Sequence, residues 1–334
     1  MKKFDEKQIL NLIVSKLESD LEPLLGKDDI SLISFKKINE KLFKNYIAIT
    51  CDMLVEHTDV PPKMTFKQIA RKSLVSCVSD LTSKGIKPMI ALISLGIPEY
   101  LTKIEIRELI KGFALTSKEF DFFIIGGDIN QAKELVIDCN MIGFPSHNSN
   151  VPRRNGAIID DFVIVSGKFG NSSAGLKILL DRLKISDKEF KDKAIDSVLN
   201  PDPPFKFGLK LSKYLSSSID SSDGLSISLY ELAKESKVDI IIYKDKIPTP
   251  SGLDKFSQIN NLDIEDLIFY GGEEYHVIGT ITKKNLIKIN SLARKYKLDF
   301  HIIGKVIAGR GKVIIEYSNQ KRKVLKNKGF IHLS

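Results

Sequence analysis

Apolar residues follow two spacings along this chain, one typical of helices and one typical of buried strands. Helical spacing predicts helices over residues 5–20, 66–84 and 103–120, and Thr65 with Gln68 forms a capping-box signature before the second helix. Gly85 is the expected end of that helix. Continuous apolar runs predict buried strands at residues 46–51, 89–97, 121–128, 135–143, 161–166, 238–243, 267–270 and 300–307.

Both halves of the chain mix helical and strand patterns, which predicts an α+β fold. The segment 145–152 is rich in turn-forming residues and is the best candidate for a linker. With 334 residues the chain is long enough for two ordinary domains, and we expect them at residues 1–147 and 148–334.

Composition narrows the class of protein. The chain is 43% hydrophobic and 28% charged, as is typical of a soluble globular protein, and it has no apolar stretch of membrane-spanning length and no secretory signal. Cys51, Cys77 and Cys139 are too widely spaced for a disulfide framework or a zinc site. We therefore expect a cytoplasmic protein without a membrane partner.

The formal charge of +9 raises the alternative of a nucleic-acid-binding protein. The lysines are scattered, however, and a basic excess can instead attract anionic metabolites. We expect no nucleic-acid partner. The alternative predicts binding that depends steeply on salt.

Two glycine–glycine–acid motifs are the most informative chemical feature. Gly-Gly-Asp at residues 126–128 and Gly-Gly-Glu-Glu at residues 271–274 each follow an apolar run, so we expect both to be turns at strand ends. Glycines let the backbone approach a ligand closely, and a carboxylate there suits a Mg²⁺ that carries nucleotide phosphates. One such turn is more often a solvated strand end, but Asp52 adds an acid at the predicted end of strand 46–51.

Asp80 is a further acid, on a predicted helix face that it shares with Ser73 and Cys77. A partly buried carboxylate needs a cation, which is either a basic side chain or a metal ion. The segment 220–224, Asp-Ser-Ser-Asp-Gly, opens another predicted helix. Ser222 or Asp223 can cap that helix, and its free backbone N–H groups suit phosphate oxygens.

Familiar nucleotide-binding and nucleophile motifs are missing. The sequence has no Walker loop, dinucleotide fingerprint or protein-kinase set, and no Ser/His/Asp or Cys/His arrangement at a recognisable local spacing. An acid-rich site without a covalent nucleophile indicates metal-assisted phosphoryl transfer, in which the protein mainly positions the reactants.

Six motifs together resemble thiamine-monophosphate kinases, which belong to the aminoimidazole ribonucleotide synthetase-like superfamily. In chain order they lie at residues 26–29, 52–56, 78–81, 126–128, 220–225 and 271–275. The resemblance covers nearly the whole chain, and the run 52–62 is similar to the archaeal branch. It implies ATP-dependent phosphorylation of thiamine monophosphate to thiamine diphosphate by direct transfer. It also implies a homodimer that pairs its N-terminal sheets, a C-terminal α/β sandwich, and an active site between the two domains.

The same resemblance implies roles for individual residues. Several Mg²⁺ ions would be held by Asp29, Thr50, Cys51, Asp52, Asp80, Asp128, Asp220 and Asp223. ATP would contact Gly127, Asp128, Arg154 and Ser222, and the thiamine moiety would contact Asp59, Glu273 and Phe330. No residue acts as a covalent nucleophile, and Asp128 and Asp220 would position metal and phosphates.

The chain also departs from the family pattern. Asp59 stands where many members carry a histidine that contacts the substrate, and Cys51 replaces a usual hydroxyl residue. Another ATP-using enzyme of the superfamily, such as an amidine-forming synthetase or a selenophosphate synthetase-like enzyme, is the main alternative. A non-catalytic scaffold that keeps the fold is a further one.

Overall fold

The computed structural model describes residues 31–34, 46–145, 150–181 and 183–330. Within these ranges the chain forms two sheets, one from each half of the sequence. The predicted helix over residues 5–20 and the metal-binding candidate Asp29 lie outside the described residues. The predicted domain boundary, between residues 147 and 148, also falls outside them.

The first sheet has five strands in the order β1-β2-β5-β3-β4. Neighbouring strands are antiparallel except β3 and β4, which are parallel. The strands are β1 (Ser31–Ser34), β2 (Tyr46–Val55), β3 (Pro88–Ile97), β4 (Phe123–Gln131) and β5 (Val136–Gly143). The helices of this half are α1 (Glu56–Asp59), α2 (Phe66–Ser83) and α3 (Lys103–Phe120).

Helix α2 packs on one face of this sheet and forms where its sequence signals predict. The Thr65 hydroxyl accepts a hydrogen bond from the Gln68 backbone N–H, and the Gln68 side-chain oxygen accepts one from the Thr65 backbone N–H, which confirms the capping box. After the helix, Gly85 has a φ of +75°, a left-handed conformation that glycine adopts readily. Leu74 and Val78 are fully buried, in one core with the sheet residues.

The second sheet has seven strands in the order β12-β11-β8-β10-β6-β9-β7. Its strands are β6 (Phe162–Val165), β7 (Ser217–Asp220), β8 (Val238–Tyr243), β9 (Val277–Ile281), β10 (His301–Ala308), β11 (Val313–Glu316) and β12 (Arg322–Val324). Its helices are α4 (Asn171–Leu180), α5 (Lys188–Leu199), α6 (Phe205–Leu211), α7 (Leu225–Ser236), α8 (Leu253–Ile259), α9 (Ile264–Phe269) and α10 (Lys283–Tyr296).

Helices cover both faces of the second sheet. Val163 and Ile240 belong to a core that includes Leu229 of α7, whereas Ile164 belongs to a second core with Ile289 of α10. Because successive residues of a strand point to opposite faces, Val163 and Ile164 mark the two layers. No helix in the described ranges is long and apolar enough to span a membrane.

Three predicted elements differ from the structure. Strand β2 continues to Val55, so Asp52 lies inside a strand and not at its end. Strand β4 continues to Gln131, so the Gly-Gly-Asp motif at residues 126–128 is paired with β3 and is not a turn. The run 267–270 belongs largely to helix α9, because Asp263 caps a helix in which Leu267, Ile268 and Phe269 are buried. A short buried apolar run is compatible with either element.

The start of α7 also differs from the prediction. Gly224 is the residue before the helix, and neither Ser222 nor Asp223 caps it with a side chain. Gly224 has a φ of +110°, which places the preceding acidic segment at a sharp angle to the helix.

Gly112 provides a test of how closely α2 and α3 pack. A Cβ at this position would lie 2.6 Å from the Lys67 backbone oxygen and 2.7 Å from the Ala70 Cβ, both on α2. We expect Gly112→Ala to lower the free energy of unfolding by about 1–3 kcal/mol through overpacking. Urea unfolding measures the change. Exposed Lys111→Ala is the control, and equal stability of the two variants would contradict the close packing.

Candidate active site

Helix α2 turns a row of polar side chains toward the second half of the chain. Ser79 donates a 2.7 Å hydrogen bond to Asp220 Oδ2, at the end of β7. One turn further on, Lys84 Nζ lies 2.5 Å from the Ser218 carbonyl, and the Ser218 hydroxyl donates to the Ser83 carbonyl. These side chains are buried, so each hydrogen bond takes the place of one that the polar group would make to water in the unfolded chain. The row fixes the end of β7, and therefore Asp220, against α2.

On the sheet side of α2, acids of the first half meet. The Thr50 hydroxyl of β2 donates a hydrogen bond to Asp80 Oδ2. Cys77, one turn before Asp80, is fully buried and donates to the Cys139 carbonyl. Burial, this hydrogen-bonded neighbour and the charges of Asp52 and Asp80 all raise the pKa of the Cys77 thiol. The Cys77 thiol therefore stays protonated at neutral pH.

Tyr275 links the two halves of the chain. Its side chain is buried and packs in the core of the first half, although the residue belongs to the second half of the sequence. Burial raises the pKa of its hydroxyl well above the usual value, and four carboxylate charges raise it further, those of Glu273, Asp52, Asp220 and Asp59. Distant acids thus share one negative region around a neutral phenol.

The loop that carries Tyr275 is held in an uncommon backbone conformation. Glu273 and Tyr275 have φ values of +62° and +53°, which non-glycine residues rarely adopt. The Glu273 N–H donates to the Ser222 carbonyl at 2.6 Å, and the Tyr275 N–H donates to the Ser221 carbonyl. The loop 271–275 and the loop 220–224 are therefore one hydrogen-bonded unit.

The remaining candidates for ligand contacts lie around this unit. The Phe330 N–H donates to the Asp223 carbonyl at 3.1 Å, and its side chain is 47% exposed. Arg154 Nη1 lies 3.8 Å from a carboxylate oxygen of Glu231. The Asp59 carboxylate accepts a hydrogen bond from the Val55 N–H, so it stabilises the short helix α1.

Strand β4 brings the Gly-Gly-Asp motif to the same sheet. A Cβ on Gly127 would lie 1.7 Å from the Ile93 carbonyl oxygen, so only glycine fits. Gly127 is in register with Ile93 and Cys139, in the row of Asp52, whereas Asp128 is in register with Ser94 and Asp138.

Because alternate residues point to opposite faces, exposed Asp128 shares its face with Cys51. The Cys51 thiol donates to Asp138 at 3.2 Å, and burial with this hydrogen bond raises the pKa of Cys51 to about 12. A thiolate at Cys51 is therefore disfavoured at neutral pH.

The donor atoms around Tyr275 are carboxylate and hydroxyl oxygens, the ligands that Mg²⁺ prefers. The combined charge that acts on Tyr275 is negative, which also suits a divalent cation. In the described ranges, no three His, Cys, Asp or Glu side chains lie close enough together to enclose one ion. Two of the acids are hydrogen-bonded to hydroxyls, in the pairs Thr50–Asp80 and Ser79–Asp220.

Glu274 has a separate role from its neighbour Glu273. Its Oε1 atom accepts from the backbone N–H groups of Gly170 at 2.7 Å and Ser172 at 3.1 Å, at the start of α4. A negative side chain is favourable at a helix N-terminus. Burial nevertheless outweighs these bonds and raises the pKa of Glu274 to about 7. The glycine-rich segment before α4 is thus filled by a side chain of this same chain.

Comparison with known proteins identifies the family of this chain. Residues 32–144 match the family described as AIR synthase related protein, N-terminal domain. The chain is 39% identical to a thiamine-monophosphate kinase from Nitrosopumilus maritimus over 332 residues, which is 99% of each protein. The chain belongs to the thiamine-monophosphate kinase family. A further relative of this name, from Pyrococcus horikoshii, is 32% identical over 96% of this chain and 94% of its own length.

A solved structure supports the same family. AaThiL, complexed with AMPPCP and TMP, matches with a TM-score of 0.84 and 25% identity over 100% of this chain and 99% of its own. The expected α+β fold of the aminoimidazole ribonucleotide synthetase-like superfamily is therefore confirmed for this member of the thiamine-monophosphate kinase family.

Two residues that organise this site, Lys72 and Tyr275, are not among the predicted site residues. Lys72 of α2 is buried and lies 2.6 Å from Glu273 Oε1. Tyr275 is the last residue of the motif at residues 271–275, and the sequence predicts no separate role for it. A lysine inside the apolar side of a helix, beside Ile69 and Val75, was the available signal for Lys72.

Glu274 and His276 predict opposite effects of pH on stability. The pKa of Glu274 is raised from 4.5 to about 7, so between these values the folded state keeps a proton that the unfolded state releases. Stability from Glu274 therefore falls as pH rises through this range. Burial lowers the pKa of His276 from 6.5 to about 4, so stability from His276 rises between pH 4 and 6.5.

Removing the Glu274 carboxyl group should therefore leave the opposite pH dependence of His276 visible in the stability. We expect Glu274→Gln, which keeps an oxygen acceptor for α4, to gain stability relative to wild type as pH rises from 4.5 to 7. Urea unfolding at four pH values across this range measures the slopes. Parallel curves for the two proteins would show that Glu274 does not titrate as its burial implies.

Proposed function

We propose that this protein phosphorylates thiamine monophosphate to thiamine diphosphate with ATP, by direct transfer in the cytoplasm. The observation that carries the proposal is that α2 bonds Thr50 of the first sheet through Asp80 and Asp220 of the second sheet through Ser79, in a chain 39% identical to a thiamine-monophosphate kinase over 99% of each protein. AaThiL, the structural neighbour, was solved with AMPPCP and TMP, which have the chemistry of the two proposed substrates. The three cysteines are free thiols, in keeping with a reducing compartment.

The proposed roles follow the positions of the side chains. Thr50, Asp52, Asp80 and Asp220 form the central set for Mg²⁺, and Asp29, Cys51, Asp128 and Asp223 are the further candidates. When bound, Mg²⁺ neutralises negative charge on the phosphates. Gly127, Asp128, Arg154 and Ser222 are the proposed contacts of ATP. Asp59, Glu273 and Phe330 are the proposed contacts of the thiamine moiety.

The direct test is a reaction with ATP, Mg²⁺ and thiamine monophosphate, which should yield thiamine diphosphate and ADP in equal amounts. Excess EDTA should abolish turnover. We expect Asp52→Asn to lower kcat by about 100-fold or more, since a fixed charge near the phosphates is lost. Asp192→Asn, an exposed acid of α5, is the control.

Two outcomes would contradict the proposal. Turnover of aminoimidazole ribonucleotide precursors or selenide, without thiamine diphosphate formation, would assign the chain to another activity of the superfamily. Unchanged kcat in Asp52→Asn, with its fold intact by circular dichroism, would remove Asp52 from the proposed metal set.

We further propose that the protein is a homodimer that pairs the open faces of its first sheets. Met53 is 63% exposed, Leu92 40% and Phe123 69%. The strand register puts these three residues on one face, opposite to the face covered by α2. Monomeric proteins rarely leave such an apolar surface in water, and an identical sheet is a self-complementary partner.

A charge on this face should separate the protomers. We expect wild type to have twice the mass of one 37.5 kDa chain in solution, and Leu92→Asp to shift toward the single-chain mass. Light scattering after gel filtration measures both. Ile104→Asp, on exposed α3, is the matched control. A monomeric wild type, or a Leu92→Asp protein as dimeric as the control, would contradict this interface.

A further inference from the structure

Lys72 is a buried cation at the junction of the two halves. The residue is 5% exposed, on the side of α2 that packs in the protein core. Its Nζ atom lies 2.6 Å from Glu273 Oε1 and donates to the Asp59 carbonyl oxygen, also at 2.6 Å. A buried ammonium is unfavourable unless it is paired and hydrogen-bonded, and these two oxygens supply both.

The two acceptors belong to segments that are far apart in sequence. Asp59 ends helix α1, where its own carboxylate bonds the Val55 N–H. Glu273 lies in the loop 271–275, where its backbone is left-handed and its N–H donates to Ser222. One lysine therefore ties a segment of the first half to a strained loop of the second half.

The geometry leaves Glu273 able to contact a ligand. Its side chain is held through one carboxylate oxygen and remains 35% exposed, whereas Lys72 is enclosed. The ammonium therefore fixes the direction of the carboxylate without reaching the surface itself. A fixed carboxylate binds a partner with less loss of side-chain freedom than a mobile one.

We propose that Lys72 is a positioning residue that holds Glu273 in its ligand-binding orientation against Asp59. The proposal rests on the proposed function for the identity of the ligand, thiamine monophosphate. Lys72 acts through Glu273 and does not touch ATP. Its loss should therefore affect one substrate and spare the other.

Steady-state kinetics of Lys72→Met and Lys72→Arg test this role. We expect Lys72→Met to raise the KM for thiamine monophosphate by about 10- to 100-fold, because misplaced contact groups lose binding, and to leave the KM for ATP within about twofold. Lys72→Arg keeps the charge and should recover part of the loss. Lys67→Met removes an exposed lysine from the same helix, paired with Glu108, and is the control.

Equal rises in both KM values, or an unchanged KM for thiamine monophosphate, would overturn the proposal. If Lys72→Met does not fold, Glu273→Gln tests the same contact from its exposed side, with the same expected split between substrates. Failure to rescue by Lys72→Arg together with a general loss of stability would indicate a purely structural lysine.

A double-mutant cycle in urea unfolding separates this proposal from the proposed function. The double variant Lys72→Met/Glu273→Gln should lose less free energy of unfolding than the sum of the losses in the two single variants, since each single change already removes the same pair. Additive costs would overturn the pairing whatever the enzyme does. If the losses of stability are non-additive but wild type forms no thiamine diphosphate, the Lys72–Glu273 pairing is supported and the proposed activity is rejected.

Discussion

The structure depends on the requirement that buried polar groups of α2 be satisfied by the second half of the chain. Helices usually bury apolar residues, and α2 does so against its sheet and α3, but it also directs polar groups toward the second half of the chain. Ser79 bonds Asp220 and Lys84 reaches the Ser218 carbonyl. Hydrogen bonds are directional, so these contacts define the position of β7 more closely than apolar packing alone would. The acids of the two halves meet because this junction is specified.

The same junction explains how many like charges are accommodated. Repulsion among carboxylates weakens when each is bonded to a hydroxyl or a cation and when neutral groups separate them. Thr50 and Ser79 provide hydroxyls, and Tyr275 and Cys77 provide neutral groups whose raised pKa values keep them uncharged. The site is therefore negative as a whole while each acid retains a local partner.

Local signals in the sequence predicted much of the fold. The helix over residues 103–120 and the strand over 238–243 are confirmed to the residue. A capping box at Thr102 fixes the start of the helix, and a left-handed residue, Lys237, turns the chain immediately before the strand. The strand predicted at 267–270 is wrong because a four-residue apolar run carries no period, and the cap at Asp263 decided for a helix. Strand β4 runs through two glycines because its pairing with β3 outweighs their weak strand preference.

The site was harder to predict than the fold. Motif order led to the acids and to the family, because those residues lie beside glycines that mark them. The partners of the acids come from long-range packing. Lys72 lies 201 positions before Glu273 (273 minus 72), and no local pattern near Glu273 indicates it. The strand register likewise separates Asp128 from Asp52, and register is set by the assembled sheet rather than by either strand alone.

The way Glu274 fills the start of α4 has a consequence for nucleotide selection. The segment 167–175 has the glycine content of a phosphate-binding loop, but the Glu274 carboxyl group of the same chain already accepts hydrogen bonds from its N–H groups. A tethered group competes at an effective concentration far above that of dissolved metabolites. Phosphates are therefore excluded from this helix start, which Glu274 already occupies.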